Sequence, residues 1–317
     1  MSQNQHVLEE IFRCICLQSC IYFARDFHAP WGMRIGQGDG EAQSRPGSFG
    51  KAQFHAVVAG QCTLTLGAST VELFQDDIVL LPATRTLGAV PHRIANPAHA
   101  QAAEGAEVLA SLSSETPLFA SGDTATKLMC GHYEYRTDCL HPFVEQLPAA
   151  IVLTRHAEQD LPSRRATIAL LATECDRSDV SEAVVSRLAE VLLIDTLRAY
   201  VAQSDTPQFL VGLDDRRIAR AVSTIHTHYS ATLTLDDLAS AAAMSRSAFA
   251  DTFRSATGVA PIEYLTKWRM LNALELLGTG TLTVGQVAGR VGYVSESAFS
   301  RAFKRQMGAP PSEYRAR

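Results

Sequence analysis

The sequence predicts an α+β chain, with a small N-terminal β-barrel that carries helices and a C-terminal domain that is all helix. Three observations lead there. Between Phe54 and Leu81 apolar residues alternate with polar ones, the period of a half-buried strand. After Ser163 the apolar spacing becomes helical. In the last hundred or so residues one helical unit occurs twice. At 317 residues the chain has room for two domains, and 46% hydrophobic with 19% charged residues is a globular composition, not a fibrous or disordered one.

Taken in order, Cys62, Leu64 and Leu66 alternate with Thr63 and Thr65, and Val71 and Leu73 flank Glu72. Gly67-Ala68-Ser69 between them reads as a hairpin turn, and Asp76-Asp77 leads into a buried strand, Ile78 to Leu81, ended by Pro82. A small barrel is the economical way to bury these faces. The polar, Gly-rich stretch from Gly36 to Gly50 reads as a mobile loop. Cys130-Gly131-His132-Tyr133 is expected to begin another strand, and Leu147-Pro148 to turn. Helices are expected from Ser163 to Cys175 and from Glu182 to Gln203. The second has a stripe of Val184, Val185, Leu188, Val191 or Leu192, and Tyr200 for the barrel or for a second subunit. Gln203 to Pro207 ends it, and Asp214-Asp215 suits a helix cap. The expected organisation is therefore a sensor domain over 1–203, a linker over 204–213 and a helical domain over 214–317.

No uninterrupted apolar stretch approaches the roughly 18 residues of a membrane helix. Glu9 and Glu10 stand where a secretory leader wants positive charge, so a cytoplasmic protein with no membrane partner is expected. Seven cysteines without a repeated CxxC spacing imply neither a disulfide framework nor a structural zinc site.

Charge divides the chain near Leu213. Residues 1–213 carry 15 Lys or Arg against 24 Asp or Glu, while residues 214–317 carry 13 against 9. A basic module joined to an acidic one suits nucleic-acid binding under the control of a second domain.

The repeat gives that reading its chemistry. Leu235, Leu238 and Ala239 recur at an offset of 49 as Val284, Val287 and Ala288. Ser247-Ala248-Phe249, Phe253, Gly258, Pro261 and Tyr264 recur at an offset of 50 as Ser297-Ala298-Phe299, Phe303, Gly308, Pro311 and Tyr314. The one-residue slip falls at a turn, so each copy reads as helix, tight turn, helix. Thr234 and Thr283 suit the first cap of each copy, and Ser245 and Ser295 the second. Burying the phenylalanine pairs leaves an outward face of Arg246, Ser247, Ala250, Asp251 and Arg254 in the first copy. In the second copy the face is Glu296, Ser297, Ser300, Arg301 and Lys304, beside Ser295. Short polar groups and cations on one helix face suit base edges and phosphates in a major groove. Pro261 opens a connecting helix to about Leu277, striped with Tyr264, Leu265, Trp268 and Leu271. Gly285 and Gly289 should each weaken the first helix of the second copy by up to about 1 kcal/mol.

The strings SRSAFADTFRSATGVAPIEYLTKWRMLNALELL, from Ser245, and VAGRVGYVSESAFSRAFKRQMGAPPSEYR, from Val287, resemble the DNA-binding domain of the AraC/XylS transcription regulators. The resemblance implies two helix-turn-helix units whose second helices enter successive major grooves roughly 34 Å apart. FHAVVAGQCTLTLGASTVELFQDDIVLLP, from Phe54, and Ala29-Pro30-Trp31-Gly32 resemble the cupin-type sensor domain of the same family. The implied protein is a transcription regulator, expected to be an activator. Its partners would be double-stranded promoter DNA, RNA polymerase, an unknown effector and a second copy of itself.

Enzymatic cupins hold a metal with a His-x-His pair, a carboxylate and a distant histidine. Here His55 is followed by Ala56-Val57, and Leu87 stands at the late histidine position. His226-x-His228 has ligand-like spacing, but side chains two apart on a helix diverge, so a solvent-exposed or capping role is expected. No metal, cofactor or catalytic residue is assigned. Cys14, Cys16 and Cys20 crowd the N-terminal arm, and Cys130 and Cys139 follow later. They serve either as small buried hydrophobes or, for Cys20 and Cys130, as thiols that respond to oxidation, which the resemblance supplies from a thiol-sensing branch. Two rival readings are a metal-dependent cupin enzyme with a vestigial DNA-binding tail and a regulator sensing an apolar ligand inside the barrel.

Overall fold

A computed structural model of the chain describes residues 11, 17–36, 49–82, 90–122, 125–136, 141–155, 162–203 and 208–315. The expected loop from Gly36 to Gly50, Cys14, Cys16, Cys139 and Leu87 lie wholly or mainly outside them.

The N-terminal part is a pair of five-stranded sheets. One runs in the order β1 (Leu17–His28), β9 (Ala125–Arg136), β3 (Phe49–Ala59), β6 (Ile78–Leu81), β10 (Ile151–Leu153). The other runs β5 (Ser69–Phe74), β4 (Gln61–Leu66), β7 (His92–Asn96), β2 (Trp31–Ile35), β8 (Ala103–Glu104). Among the described residues the two sheets are not hydrogen-bonded into one closed ring, so the expected barrel is instead a pair of sheets. The alternation read from Cys62 to Leu73 is what makes this work: Cys62, Leu64 and Leu73 point into the space between the sheets, with Phe27, Trp31, Val57, Ile94 and Leu128. The hairpin pairs Leu66 with Ser69 across Gly67, which adopts φ +56°. Asp77 is buried because its carboxylate closes the next turn, accepting hydrogen bonds from the backbone N–H of Phe74 (2.8 Å) and of Arg155 (2.5 Å).

The Cys130-Gly131-His132-Tyr133 segment lies in the middle of β9, not at its start. β9 is central, paired on one side with β1 and on the other with β3, and Gly131 is needed there: a Cβ would stand 2.7 Å from the Phe54 ring and 2.5 Å from the Cys20 carbonyl oxygen.

Helix α1 (Gly105–Ser111) follows β8, and α2 (Pro142–Glu145) is a single turn before β10. Helices α3 (Pro162–Cys175) and α4 (Glu182–Val201) cover the outer face of the first sheet. In α4, Leu192 and Tyr200 are buried and Val185 and Leu188 half-buried, whereas Val184 and Val191 face solvent. The stripe packs on the first sheet through the first four, and Tyr133 Oη anchors it by donating to the Ala189 carbonyl at 2.9 Å.

The C-terminal domain is α5 (Gln208–Asp214), α6 (Arg216–His228), α7 (Leu235–Ala241), α8 (Arg246–Thr257), α9 (Pro261–Gly278), α10 (Val284–Arg290), α11 (Glu296–Met307) and α12 (Pro311–Tyr314). Most of the expected linker is thus helix: α5 buries Phe209 and Leu213, and Gly212 lets α8 approach so closely that a Cβ there would stand 2.4 Å from Ala256. Asp215 caps α6 by accepting from the Arg217 backbone N–H.

Candidate nucleic-acid interface

Each helix-turn-helix unit is set by the same local chemistry. Thr234 and Thr283 close capping boxes with Asp237 and Gln286 at the starts of α7 and α10. The turn that follows needs one left-handed residue, and it falls at equivalent positions, Ala243 (φ +53°) and Gly292 (φ +83°). Tyr293 and Val294 follow in the second copy where only Met244 stands in the first, which is the slip in the repeat. Ser295 caps α11 by accepting from the Ala298 N–H at 3.2 Å. Ser245 occupies the same place before α8 but makes no side-chain cap bond, contrary to expectation. Gly258 and Gly308 end the two second helices in the left-handed conformation.

Phe249 and Phe253, and Phe299 and Phe303, are buried, with ring centroids 5.4 Å apart in both copies. The opposite faces are open. Ser247, Asp251 and Arg254 are exposed on α8, and Ser297, Arg301 and Lys304 on α11, while Ser300 is half-buried. The first residue of each helix bends back toward its own unit. Arg246 pairs at 3.4 Å with Asp236 of α7, an exposed contact of small energetic weight. Glu296 lies over α10, where a Cβ on Gly285 would stand 2.7 Å from its carboxylate. Gly285 leaves room for the exposed Glu296 side chain. Val294, fully exposed just before Ser295, lies beside this face and was not among the expected contacts.

The first unit is joined to the sensor domain through a buried polar chain. His141, the N-cap of α2, accepts the Phe143 backbone N–H on Nδ1 at 3.1 Å, so its neutral ring carries the proton on Nε2. That N–H donates to Tyr264 Oη at 2.7 Å, and the Tyr264 hydroxyl in turn donates to His226 Nε2 at 2.8 Å. His226 is thus buried and stacked on Trp268 at 3.7 Å, a correction to the exposed or capping role expected from His226-x-His228. His228 is exposed. Burial, then the neighbouring His226 and Lys267, hold His141 well below the ordinary histidine range. Gln146 completes the junction, accepting from the Phe209 N–H (2.8 Å) and donating to the Thr257 carbonyl (3.2 Å), and Lys267 reaches Glu145 at 3.2 Å.

In the sensor domain Cys20 is exposed on β1 and Cys130 buried on β9. Register pairs Cys20 with His132, placing it diagonally across from Cys130. His55 and His92, which sequence spacing did not connect, meet Cys130: His55 Nδ1 is 2.8 Å from its Sγ and His55 Nε2 is 2.8 Å from His92 Nε2. A metal ion does not fit this set, because His92 and Cys130 lie on opposite edges of the His55 ring. Among the described residues no group of three or more His, Cys, Asp or Glu is placed to hold one. No helix among them is long and apolar enough to cross a membrane.

A family model for a cupin domain matches residues 6–202, and one for a helix-turn-helix domain matches residues 238–317. A putative AraC-like transcription regulator of Streptomyces lividans is 31% identical over 274 residues, covering 83% of this chain and 86% of that protein. The chain belongs to the AraC family. It is a DNA-binding transcription regulator with a cupin-like N-terminal domain. The RCS-specific HTH-type transcriptional activator RclR of Escherichia coli is 34% identical over 137 residues, 43% of this chain and 48% of that one. The solved DNA-binding domain of AdpA, in complex with a target DNA, is 38% identical, with 31% of this chain and 88% of that chain covered and a TM-score of 0.30.

Proposed function

We propose that this AraC-family regulator is a cytoplasmic activator that catalyses no reaction and binds promoter DNA through α8 and α11 in successive major grooves. The observation that carries the reading is the duplication of an open polar face on an otherwise buried helix, with Ser247, Asp251 and Arg254 in one copy and Ser297, Ser300, Arg301 and Lys304 in the other. Arg246, Ser295 and Glu296, exposed at the starts of α8 and α11, add DNA contacts at the edges of these faces. Arg254 and Lys304 supply charge for phosphates, so affinity falls steeply with salt, and Arg301 reads a base edge. Occupancy is signalled to RNA polymerase, and the exposed Val184 and Val191 offer a face to a second copy of the chain.

The signal enters the sensor domain as oxidation of Cys130 and Cys20, and the His141–Tyr264–His226 chain carries it to the first unit. The diagonal placement of the two cysteines supports this, as does the name of the Escherichia coli relative, an RCS-specific activator. Sequencing of genomic fragments retained by the full-length protein, with and without hypochlorous acid, tests both parts. Two half-elements one DNA turn apart are expected, with an occupancy that changes on oxidation. Absence of an enriched site in either state refutes operator recognition, and an unchanged response in a Cys20→Ser, Cys130→Ser protein refutes the thiol input.

A further inference from the structure

The protons of the Cys130 cluster can be placed one by one. His92 Nδ1 lies 2.7 Å from the Val90 carbonyl oxygen, which only accepts, so Nδ1 carries a hydrogen. In the neutral ring Nε2 is then an acceptor, and the facing His55 Nε2 must donate to it. His55 Nδ1 is left as an acceptor, and the Cys130 thiol donates to that nitrogen. One carbonyl thereby orders three hydrogen bonds in a single direction, from thiol to His55 to His92 to backbone. Burial raises Cys130 well above the ordinary thiol range and holds His55 well below the ordinary histidine range, which keeps the whole chain neutral at rest.

Cys130 and His55 also line a cavity of about 360 Å³, walled by Tyr22, Phe23, Met33, Ile35 and Leu109. That volume suits a small organic molecule and is far larger than a peroxide needs. Its charged lining residues, Arg34 and Glu104, neutralise each other in a 2.8 Å ion pair, which leaves the cavity suited to an uncharged guest. Other titratable groups near the cluster are Cys62, whose thiol burial pushes up to about 12, Asp77 beside it, Tyr22 in the cavity wall, and Cys20 and His132 on the paired strands β1 and β9.

We infer that Cys130 is a covalent site for an uncharged, largely apolar carbon electrophile, an enone or a quinone, with His55 as the acceptor of the thiol proton. This rests on the reading of the cupin-like domain as the part that takes the signal. The sulfur lone pair forms a bond to the β-carbon of the electrophile, and the C=C π pair moves out to the carbonyl oxygen as an enolate. The thiol proton passes to His55 Nδ1, and the proton on His55 Nε2 to His92. The enolate then takes a proton back through the same chain, which leaves a neutral thioether and needs no further reactant. His92 is a positioning residue, because its tautomer is what leaves His55 Nδ1 free to accept.

The test treats full-length protein with N-ethylmaleimide, an uncharged electrophile, and in parallel with iodoacetate, an anion. Peptide mass mapping follows Cys130, with exposed Cys20 as the internal comparator. Cys130 should take up maleimide at a rate nearly flat from about pH 6.5 to about pH 8.5, since burial holds His55 well below the ordinary histidine range, and should resist iodoacetate. His55→Ala should slow the labelling on the order of 10²-fold and turn the flat profile into a rise of about tenfold per pH unit. His92→Gln, which keeps a polar group in place, should shift both in the same direction by less. Maleimide labelling of Cys130 at the same rate and slope in wild type and His55→Ala overturns the inference, as does a Cys130 that stays unlabelled while Cys20 reacts. Operator binding measured on the same samples separates the two readings: protein that binds its operator but leaves Cys130 unlabelled refutes this site alone, and protein that labels as expected but binds no DNA refutes operator recognition alone.

Discussion

The two helix-turn-helix units share their caps, their phenylalanine core and their left-handed turn, but differ in what surrounds them. The first unit is flanked by α5 and tied to the sensor domain, whose His141, Gln146 and Glu145 reach Tyr264, Thr257 and Lys267. None of those contacts goes to α10 or α11. The second unit meets the rest of the domain at its turn, where Gly292 lies close to the Ser230 carbonyl and to the Arg269 guanidinium, which itself donates to the carbonyls of Tyr229 and Ala231 at 2.7 and 2.8 Å. The two copies of the motif thus differ in their neighbours, and these side-chain hydrogen bonds to the N-terminal domain reach only the first copy and the connecting helix. Sequence similarity between the copies does not reveal that division, because it arises from neighbours outside the repeat.

The sharpest way to break the second unit alone is at its turn. In Gly292→Ala a Cβ would stand 2.7 Å from the Ser230 carbonyl oxygen, at a backbone conformation that side chains resist. A loss of about 2 to 4 kcal/mol, measured by denaturant unfolding, is expected. At the junction of the first unit, Tyr264→Phe leaves His141 Nε2–H and His226 Nε2 without their shared partner. It should cost about 1 to 3 kcal/mol and increase protease cleavage between the domains. On the DNA side, Arg301→Ala should weaken operator binding by about 1 to 3 kcal/mol if the guanidinium reads a base, and a gel shift unchanged from wild type would remove it from the contact set.

Acid should act on the first unit before the second. His141 is held below its unfolded value of 6.5, so the folded, docked state binds fewer protons than the undocked one. Docking stability from this group is therefore complete above pH 6.5 and is lost as pH falls below it, by up to about 1.4 kcal/mol per pH unit. Proteolysis of the interdomain segment across that range, with Tyr264→Phe as the reference, measures it. The smallest effect sharpens the comparison from the other side. Ala243 occupies the left-handed position that the second unit gives to glycine, so Ala243→Gly should stabilise the protein by about 0.5 to 1 kcal/mol in thermal unfolding.

Much of the fold was readable along the chain. The hairpin at Gly67, the caps at Thr234 and Thr283 and the buried Phe249, Phe253, Phe299 and Phe303 all follow from residues a few positions apart. The open polar faces of α8 and α11 were readable for the same reason, since a helix that buries one stripe must expose the other. Where the sequence reading fell short, a longer-range neighbour decided the outcome. α5 formed inside the expected linker because Phe209 and Leu213 find the first unit to pack on. His226 looked exposed because nothing nearby in sequence announces Trp268 and Tyr264.

By itself the sequence determined the alternating strands between Cys62 and Leu81, the long helices after Pro162, the duplication and its one-residue slip, the family, and the polar faces left open on α8 and α11. These depend on periodicity and capping, which act over a few residues. Only the tertiary structure decided that His55 meets His92 and Cys130, 37 and 75 residues away, and that His141 meets Tyr264 across 123 residues. A buried polar group must find its partner wherever sheet register and domain packing place one, and spacing along the chain carries no record of that position.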